Sequence, residues 1–229
     1  MKPIGIGVIG TGFMGKAHSI AYSASASVFG IGLRPNLEIV CDLSPERANQ
    51  RATDLGFSRH TDKWQDVVND PRVDLISVCT PNNTHSEISI AALEKGKHVW
   101  CEKPMSSSLE DSQIMAEVAE KSNSKTIVGY NYTKNPVVIH ARKIIEKGTI
   151  GRISGFFCRY DVDNEADGSK PWSWRMSKEL SGTGSNGDIL SHVISVGHYL
   201  INSRISNVVG DISIIHKQRK DPKENEKSK

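Results

Sequence analysis

No apolar run in the 229 residues approaches the roughly 20 needed to cross a bilayer, which excludes a membrane-spanning helix. The first residues, MKPIGIGVIGTGFMG, are apolar but broken by glycines, and no small-residue cleavage site follows, so no secretory leader is expected. Cysteine is scarce. Cys41, Cys79, Cys101 and Cys158 include no CxxC pair, which excludes a disulfide framework and a zinc site and points to reduced thiols in a cytoplasmic protein. An excess of one charge is lacking too: 29 basic against 26 acidic residues leave a net charge of +3. Residues 216–229 hold six bases (Lys217, Arg219, Lys220, Lys223, Lys227, Lys229) and three acids (Asp221, Glu224, Glu226), so the rest is neutral. Nucleic acid would require a basic face on the folded part, and none is expected; nor is a membrane partner. The segment 216–229 is too poor in apolar groups to fold and reads as a disordered charged tail.

What is present alternates. Short β-branched runs at 4–9, 37–41, 74–80, 98–102 and 125–129 are separated by helix-like stretches, the pattern of an α/β protein whose parallel sheet is wrapped by helices. Helices are expected at 16–28, from Ser44-Pro45 onward with Ser as cap and Pro in the first turn, at 84–95 before Gly96, and at 109–121. The segment 28–36 reads as a loop. After residue 130 the rhythm changes, and a second, incomplete α+β domain is expected over 131–215. It would hold helices at 135–146 and 187–201, and strands at 152–162 and 205–215.

Gly10-Thr11-Gly12-Phe13-Met14-Gly15 is a GxGxxG that follows a strand and opens a helix. Gly10, Gly12 and Gly15 let the chain turn tightly and let a pyrophosphate approach the N–H groups of a helix N-terminus. An acid at the end of the second strand completes the fingerprint, and Asp42 stands there, 27 residues after Gly15. The loop at 28–36 is expected to absorb the extra length. Asp42 would accept from a ribose 2′-OH and repel a 2′-phosphate, which favours NAD over NADP.

Cys101-Glu102-Lys103-Pro104 closes another strand, at the end where open α/β sheets gather their ligands. Lys103 there could reach a nicotinamide and a substrate hydroxyl, aimed by a strained or cis bond to Pro104. Thr80-Pro81-Asn82-Asn83-Thr84-His85 ends the preceding strand, and His85 either lines the same groove or is an ordinary first-turn helix residue. Asp188 and His192 are four apart, hence on one helix face, where an imidazole can take a hydroxyl proton and a carboxylate can orient it. His18, His60, His98, His140, His198 and His216 read as structural. Tyr130 and Lys134 form Tyr-x-x-x-Lys, the proton-transfer pair of short-chain dehydrogenases, but Asn135-Pro136 interrupts the helix that pair requires.

GxGxxG with AHS (Ala17-His18-Ser19), CDLSPERA, TPNNTH, GKHVWCEKP, GYNYTKNP and GDILSH in this order resembles the Gfo/Idh/MocA oxidoreductase family over about residues 4–215. The Ser173-Trp174-Arg175 and GTGSNGDILSHVI stretches are similar to its sugar and cyclitol dehydrogenases, of the levoglucosan and inositol type. The resemblance implies a Rossmann-type dinucleotide-binding domain over 1–130, then a partial substrate and oligomerisation domain. It implies an NAD-dependent hydride transfer from a sugar or polyol, with homo-oligomer formation. By position it implies Lys103, Asp188 and His192 as catalytic residues, His192 being the base. Phe13 and Met14 would touch the pyrophosphate and Asp42 the adenosine ribose. Thr80, Asn82, His85 and Glu102 would line the nicotinamide half, with Trp174 and Arg175 approaching from the second domain. No metal is implied. Two positions depart from the family pattern: Leu190 replaces a usual glycine, and Ser195 stands where an acid usually follows the histidine. Family members are longer, so the chain is expected to be a fragment or shortened product. The alternative is a truncated, non-catalytic dinucleotide-binding protein that pairs with a full-length relative.

Overall fold

Six strands line up parallel in the order β3-β2-β1-β4-β5-β6. They are β1 (Lys2–Ile9), β2 (Leu33–Cys41), β3 (Arg59–Thr61), β4 (Leu75–Val78), β5 (His98–Cys101) and β6 (Thr126–Val128). The computed structural model describes residues 2–30, 32–163 and 165–220. The chain divides into two units, Met1–Gly129 and Tyr130–Lys229.

In the first unit the expected α/β alternation is present. Helices α1 (Phe13–Phe29), α2 (Pro45–Leu55), α3 (Trp64–Asn69), α4 (His85–Glu94) and α5 (Leu109–Lys121) connect the strands. The central strands read as near-continuous apolar runs because helices cover both faces, and Val8, Val40, Ile76 and Val78 are wholly buried. Each such side chain contributes about 1.5–3 kcal/mol of burial. Ser44 caps α2 by accepting from the Arg47 N–H at 3.2 Å, with Pro45 in the first turn. The strand order reverses between β1 and β4, which opens a crevice at the carboxyl ends of the strands.

The opposite rim is stapled by charge. Asp70 pairs with Arg72 (3.3 Å) and with Arg59 (2.5 Å), while Lys97 Nζ donates to the Asp70 and Val73 carbonyls at 2.8 and 2.7 Å. Asp74 accepts from the Gly5 N–H at 2.7 Å.

Two features of this unit differ from the sequence expectation. The loop expected at 28–36 is shorter, because α1 runs on to Phe29 and β2 begins at Leu33, so helix and strand take up the extra length. Strand β3 and helix α3 were not anticipated. Arg-His-Thr has no apolar signature, and α3 is only six residues long, anchored by buried Val67 and Val68.

The second unit holds α6 (Pro136–Glu146), a four-residue α7 (Lys178–Ser181), a π-helical turn at Asn186–Leu190 and α8 (Ser191–Ile201). Asn135 caps α6, accepting from the Val137 N–H at 2.9 Å. The Arg142 guanidinium lies 4.5 Å over the Tyr199 ring and ties α6 to α8. The strands expected at 152–162 and 205–215 do not form. A strand exists only through a neighbour's ladder, and these segments do not pair, leaving Phe157 and Val209 exposed. Among the described residues this unit therefore shows helices joined by extended coil. Within residues 216–220, His216 meets the Ala166 carbonyl at 2.8 Å, and the Lys220 carbonyl accepts from the Trp172 N–H at 2.8 Å. Residues 221–229 lie outside the described residues. Among those described, no helix is long and apolar enough to cross a membrane.

Candidate functional site

The glycine turn after β1 shows why three glycines are required. Gly10 has φ +93°, and a β-carbon there would strike the Cys79 carbonyl; one on Gly15 would overlap the Gly10 carbonyl oxygen. Gly12 faces open space instead, with nothing within 4 Å of where a β-carbon would sit. It is the N-cap of α1 and offers no side chain to the first N–H groups, and no acid stands in the first turn. Unfilled N–H donors, a helix dipole and open room suit a pyrophosphate. Phe13, the first helical residue, is exposed beside this cradle, and Met14 is half-buried.

Asp42 ends β2 with its carboxylate tied to the turn. Oδ2 accepts from Thr11 Oγ1 and, at 3.3 Å, from the Thr11 N–H; Oδ1 accepts from the Ser44 N–H at 3.3 Å. Arg47 stands 3.5 Å from Oδ1. A carboxylate held against the glycine turn fits a ribose diol and opposes a 2′-phosphate.

The loops after β4 and β5 leave from the same sheet edge. Thr80 accepts from Thr84 Oγ1 at 2.7 Å, and Asn82 is buried in a short 3-10 turn. His85 opens α4 and is almost wholly buried, with Nε2 at 2.8 Å from the Thr80 carbonyl and Nδ1 at 3.0 Å from the Pro104 carbonyl. This histidine thus ties the two loops together from the first turn of α4. Burial pulls its pKa below the usual histidine value, against the opposing pull of those carbonyl bonds. The Lys103-Pro104 bond is cis. Glu102 is buried beside it, accepting from the Lys103 N–H at 3.3 Å.

In the second unit Asp188 lies in the π-helical turn that feeds α8, and His192 is the second residue of α8. The Tyr132 ring stacks on His192 with centroids 4.2 Å apart, and Tyr130 meets it edge-on at 6.0 Å. Arg175 Nε stands 4.0 Å from Asp188 Oδ2, and its guanidinium lies 4.5 Å over the Trp174 ring. Trp174, Arg175, Asp188 and the π turn are thus neighbours within this unit. Among the described residues no cluster of three or more His, Cys, Asp or Glu could hold a metal ion.

Three residues at the first unit's site escaped the sequence reading. His18, taken as structural, bonds Glu102 at 2.9 Å; Thr11 holds Asp42; and Gly129 packs so closely on the Glu102 carboxylate that a β-carbon would collide with it.

Residues 4–130 match the family described as "Oxidoreductase family, NAD-binding Rossmann fold" (GFO_IDH_MocA), and residues 138–227 match the "GFO/IDH/MocA C-terminal domain". The chain is 41% identical over 202 residues to a levoglucosan dehydrogenase of Pseudarthrobacter phenanthrenivorans, covering 88% of this chain and 52% of that one. It is 32% identical to a glucose-6-phosphate 3-dehydrogenase of Bacillus subtilis, covering 86% and 54%. A solved levoglucosan dehydrogenase in complex with NADH superposes with a TM-score of 0.85 at 40% identity, covering 87% of this chain and 54% of that one. An oxidoreductase domain protein from Kribbella flavida reaches 0.91 at 36% identity, covering 97% and 60%. The chain spans about half the length of these curated relatives. Over both of its units, this chain belongs to the Gfo/Idh/MocA family of oxidoreductases.

Proposed function

We propose that this chain serves an NAD-dependent dehydrogenase that oxidises a hydroxyl of a sugar or cyclitol. The observation that carries the reading is the gathering, at one edge of one sheet, of the open glycine cradle, Asp42, the Thr80–Thr84 loop and Lys103. The relatives named as levoglucosan, glucose-6-phosphate and inositol dehydrogenases support the substrate class.

The cradle at Gly10, Gly12 and Gly15, with Phe13 and Met14, holds the pyrophosphate, and Asp42 accepts from the adenosine ribose. The loops at Thr80–Thr84 and Glu102–Pro104 frame the nicotinamide half, with Asn82, His85 and Glu102 buried within them and holding them in place. NAD⁺, when bound, supplies the hydride acceptor. His192 takes the proton of the substrate hydroxyl on a ring nitrogen as the carbon gives up its hydride, which leaves a ketone. Lys103 offers an ammonium that stabilises the developing alkoxide, the kind of fixed charge worth about 3–4 kcal/mol in a dry site. Asp188 holds a neighbouring substrate hydroxyl, and Arg175 with Trp174 orients that carboxylate and flanks the ring.

The test is reduction of NAD⁺ by the purified chain with a panel of anhydro-sugars, hexose phosphates and inositols. At least one should be oxidised, and the activity should fall by about two to three orders of magnitude or more in Lys103→Ala and His192→Ala. Turnover on none of the panel above the level of Lys103→Ala would defeat the proposal.

A further inference from the structure

Beneath the Lys103 loop runs a buried chain of polar side chains that the proposed reaction does not use directly. Tyr22 and His18 come from α1, Ser77 from β4, and Glu102 directly follows β5. Tyr22 OH lies 2.7 Å from Ser77 Oγ, Ser77 Oγ 3.0 Å from His18 Nδ1, and His18 Nε2 2.9 Å from Glu102 Oε1. His18 and Glu102 are 6% and 5% exposed, and the imidazole rests on the Trp100 ring with centroids 4.6 Å apart. A carboxylate so far from water must be held by donors.

The donors can be ordered. Burial raises the Tyr22 phenol above its usual range, so it keeps its proton and can donate it to Ser77, 2.7 Å away. Ser77 then donates to His18 Nδ1, which as an acceptor leaves the ring proton on Nε2, facing Glu102. One carboxylate therefore joins the imidazole through Oε1 and the Lys103 backbone N–H through Oε2. Gly129 closes the other side, where any side chain would strike the carboxylate. His18 also lies little more than one turn along the helix whose N-terminus is the open cradle. The Glu102–Pro104 loop is thus pinned twice, to α1 through His18 and to α4 through the bond from His85 to the Pro104 carbonyl.

We propose that His18 is a positioning residue: through Glu102 it fixes the backbone that carries Lys103, and it couples the nicotinamide half of the cofactor groove to the helix that receives the pyrophosphate. This rests on the reading of the first unit as the cofactor site. Ser77 and Tyr22 orient the ring, Trp100 supports it, and Gly129 keeps the carboxylate's place free.

The experiment compares binding of NADH with binding of ADP-ribose, which has the same adenosine and pyrophosphate but no nicotinamide. NADH is followed by its fluorescence, and ADP-ribose by calorimetry. The full chain is used throughout, with thermal melts as a check of folding. His18→Leu should weaken NADH by about tenfold or more, the scale of one lost hydrogen bond to a charged group, and remove its fluorescence enhancement while leaving ADP-ribose unchanged. His18→Gln, whose amide nitrogen can replace the Nε2 donor, should restore both. His18→Phe keeps a flat aromatic ring without the donor and should behave as His18→Leu, so it serves if the leucine variant does not fold. Gly129→Ala should give the same pattern from the opposite side. Equal losses of NADH and ADP-ribose without rescue by glutamine would make His18 merely structural and overturn the proposal. NADH binding unchanged in His18→Phe would overturn it too. A parent chain that binds neither ligand would defeat the cofactor-site reading itself, and this inference with it.

Discussion

Gly12 and Gly15 stand three residues apart in one turn, yet a methyl group added to each should have opposite consequences. At Gly15 the new carbon would overlap the Gly10 carbonyl, and backbone on both sides cannot rotate away. Overpacking of this kind costs about 1–3 kcal/mol. Alanine regains about 0.8–1 kcal/mol of helix propensity over glycine. The net loss should be up to about 2 kcal/mol, which for a chain of this size lowers the melting temperature by up to about 8 °C. At Gly12 the methyl group meets nothing and φ is −65°, so the cap preference for glycine over alanine, about 0.5–1 kcal/mol, is offset by the lower entropy of alanine in the unfolded chain, about 0.4–1 kcal/mol. The melting temperature of Gly12→Ala should therefore move by less than about 1 °C. The same methyl group would stand in the open space before the α1 N–H groups, so NADH affinity should fall by about tenfold or more, equivalent to about 1.4 kcal/mol. Differential scanning fluorimetry and NADH titration on the same preparations check both halves. A Gly12→Ala protein that binds NADH as the parent does, or that melts as early as Gly15→Ala, would refute the distinction between a cradle glycine and a packing glycine.

Two further outcomes concern stability. Ile76 is wholly buried at the centre of β4, between β1 and β5, so Ile76→Ala should lower unfolding free energy by about 2–5 kcal/mol; a denaturant midpoint shift worth under about 1 kcal/mol would contradict the assignment of the core. His85 has a folded-state pKa below its unfolded value, so as pH falls the unfolded chain binds the proton first. Its contribution should be intact above about pH 6.5 and should be lost as pH drops below that value toward the folded-state pKa. Urea midpoints taken across that window should fall more steeply for the parent than for His85→Gln, and equal slopes would refute the argument.

Much of the first unit was legible because its signals are local and strong. A GxGxxG between strand and helix, a Ser-Pro helix start and a Lys-Pro after a strand each follow from the conformation of a few residues. What was missed depends on distant partners. Arg59-His60-Thr61 becomes a strand only because β2 offers a free edge, and no apolar period marks it. The strands expected at 152–162 and 205–215 have the right alternation, but alternation describes a face and cannot supply a neighbour. His18 looked structural because a lone histidine on a helix says nothing of a carboxylate 84 residues away. The placement of Asp188 in a π turn likewise depends on hydrogen bonding along the backbone that residue spacing does not specify.

Because all six strands point the same way, the sheet of the first unit has a front and a back. The loops with glycines, Asp42, His85 and Lys103 leave from the front; the Arg59–Asp70–Arg72 cluster, Lys97 and the Asp74–Gly5 bond clamp the back. Sequence drift should accordingly follow two separate rules in this half of the molecule. Changes in front can retune which ligand is accepted while the scaffold persists, whereas changes behind tend to weaken every ligand's platform at once. That division of labour lets a single scaffold be rebuilt for new hydroxyl compounds without being reinvented.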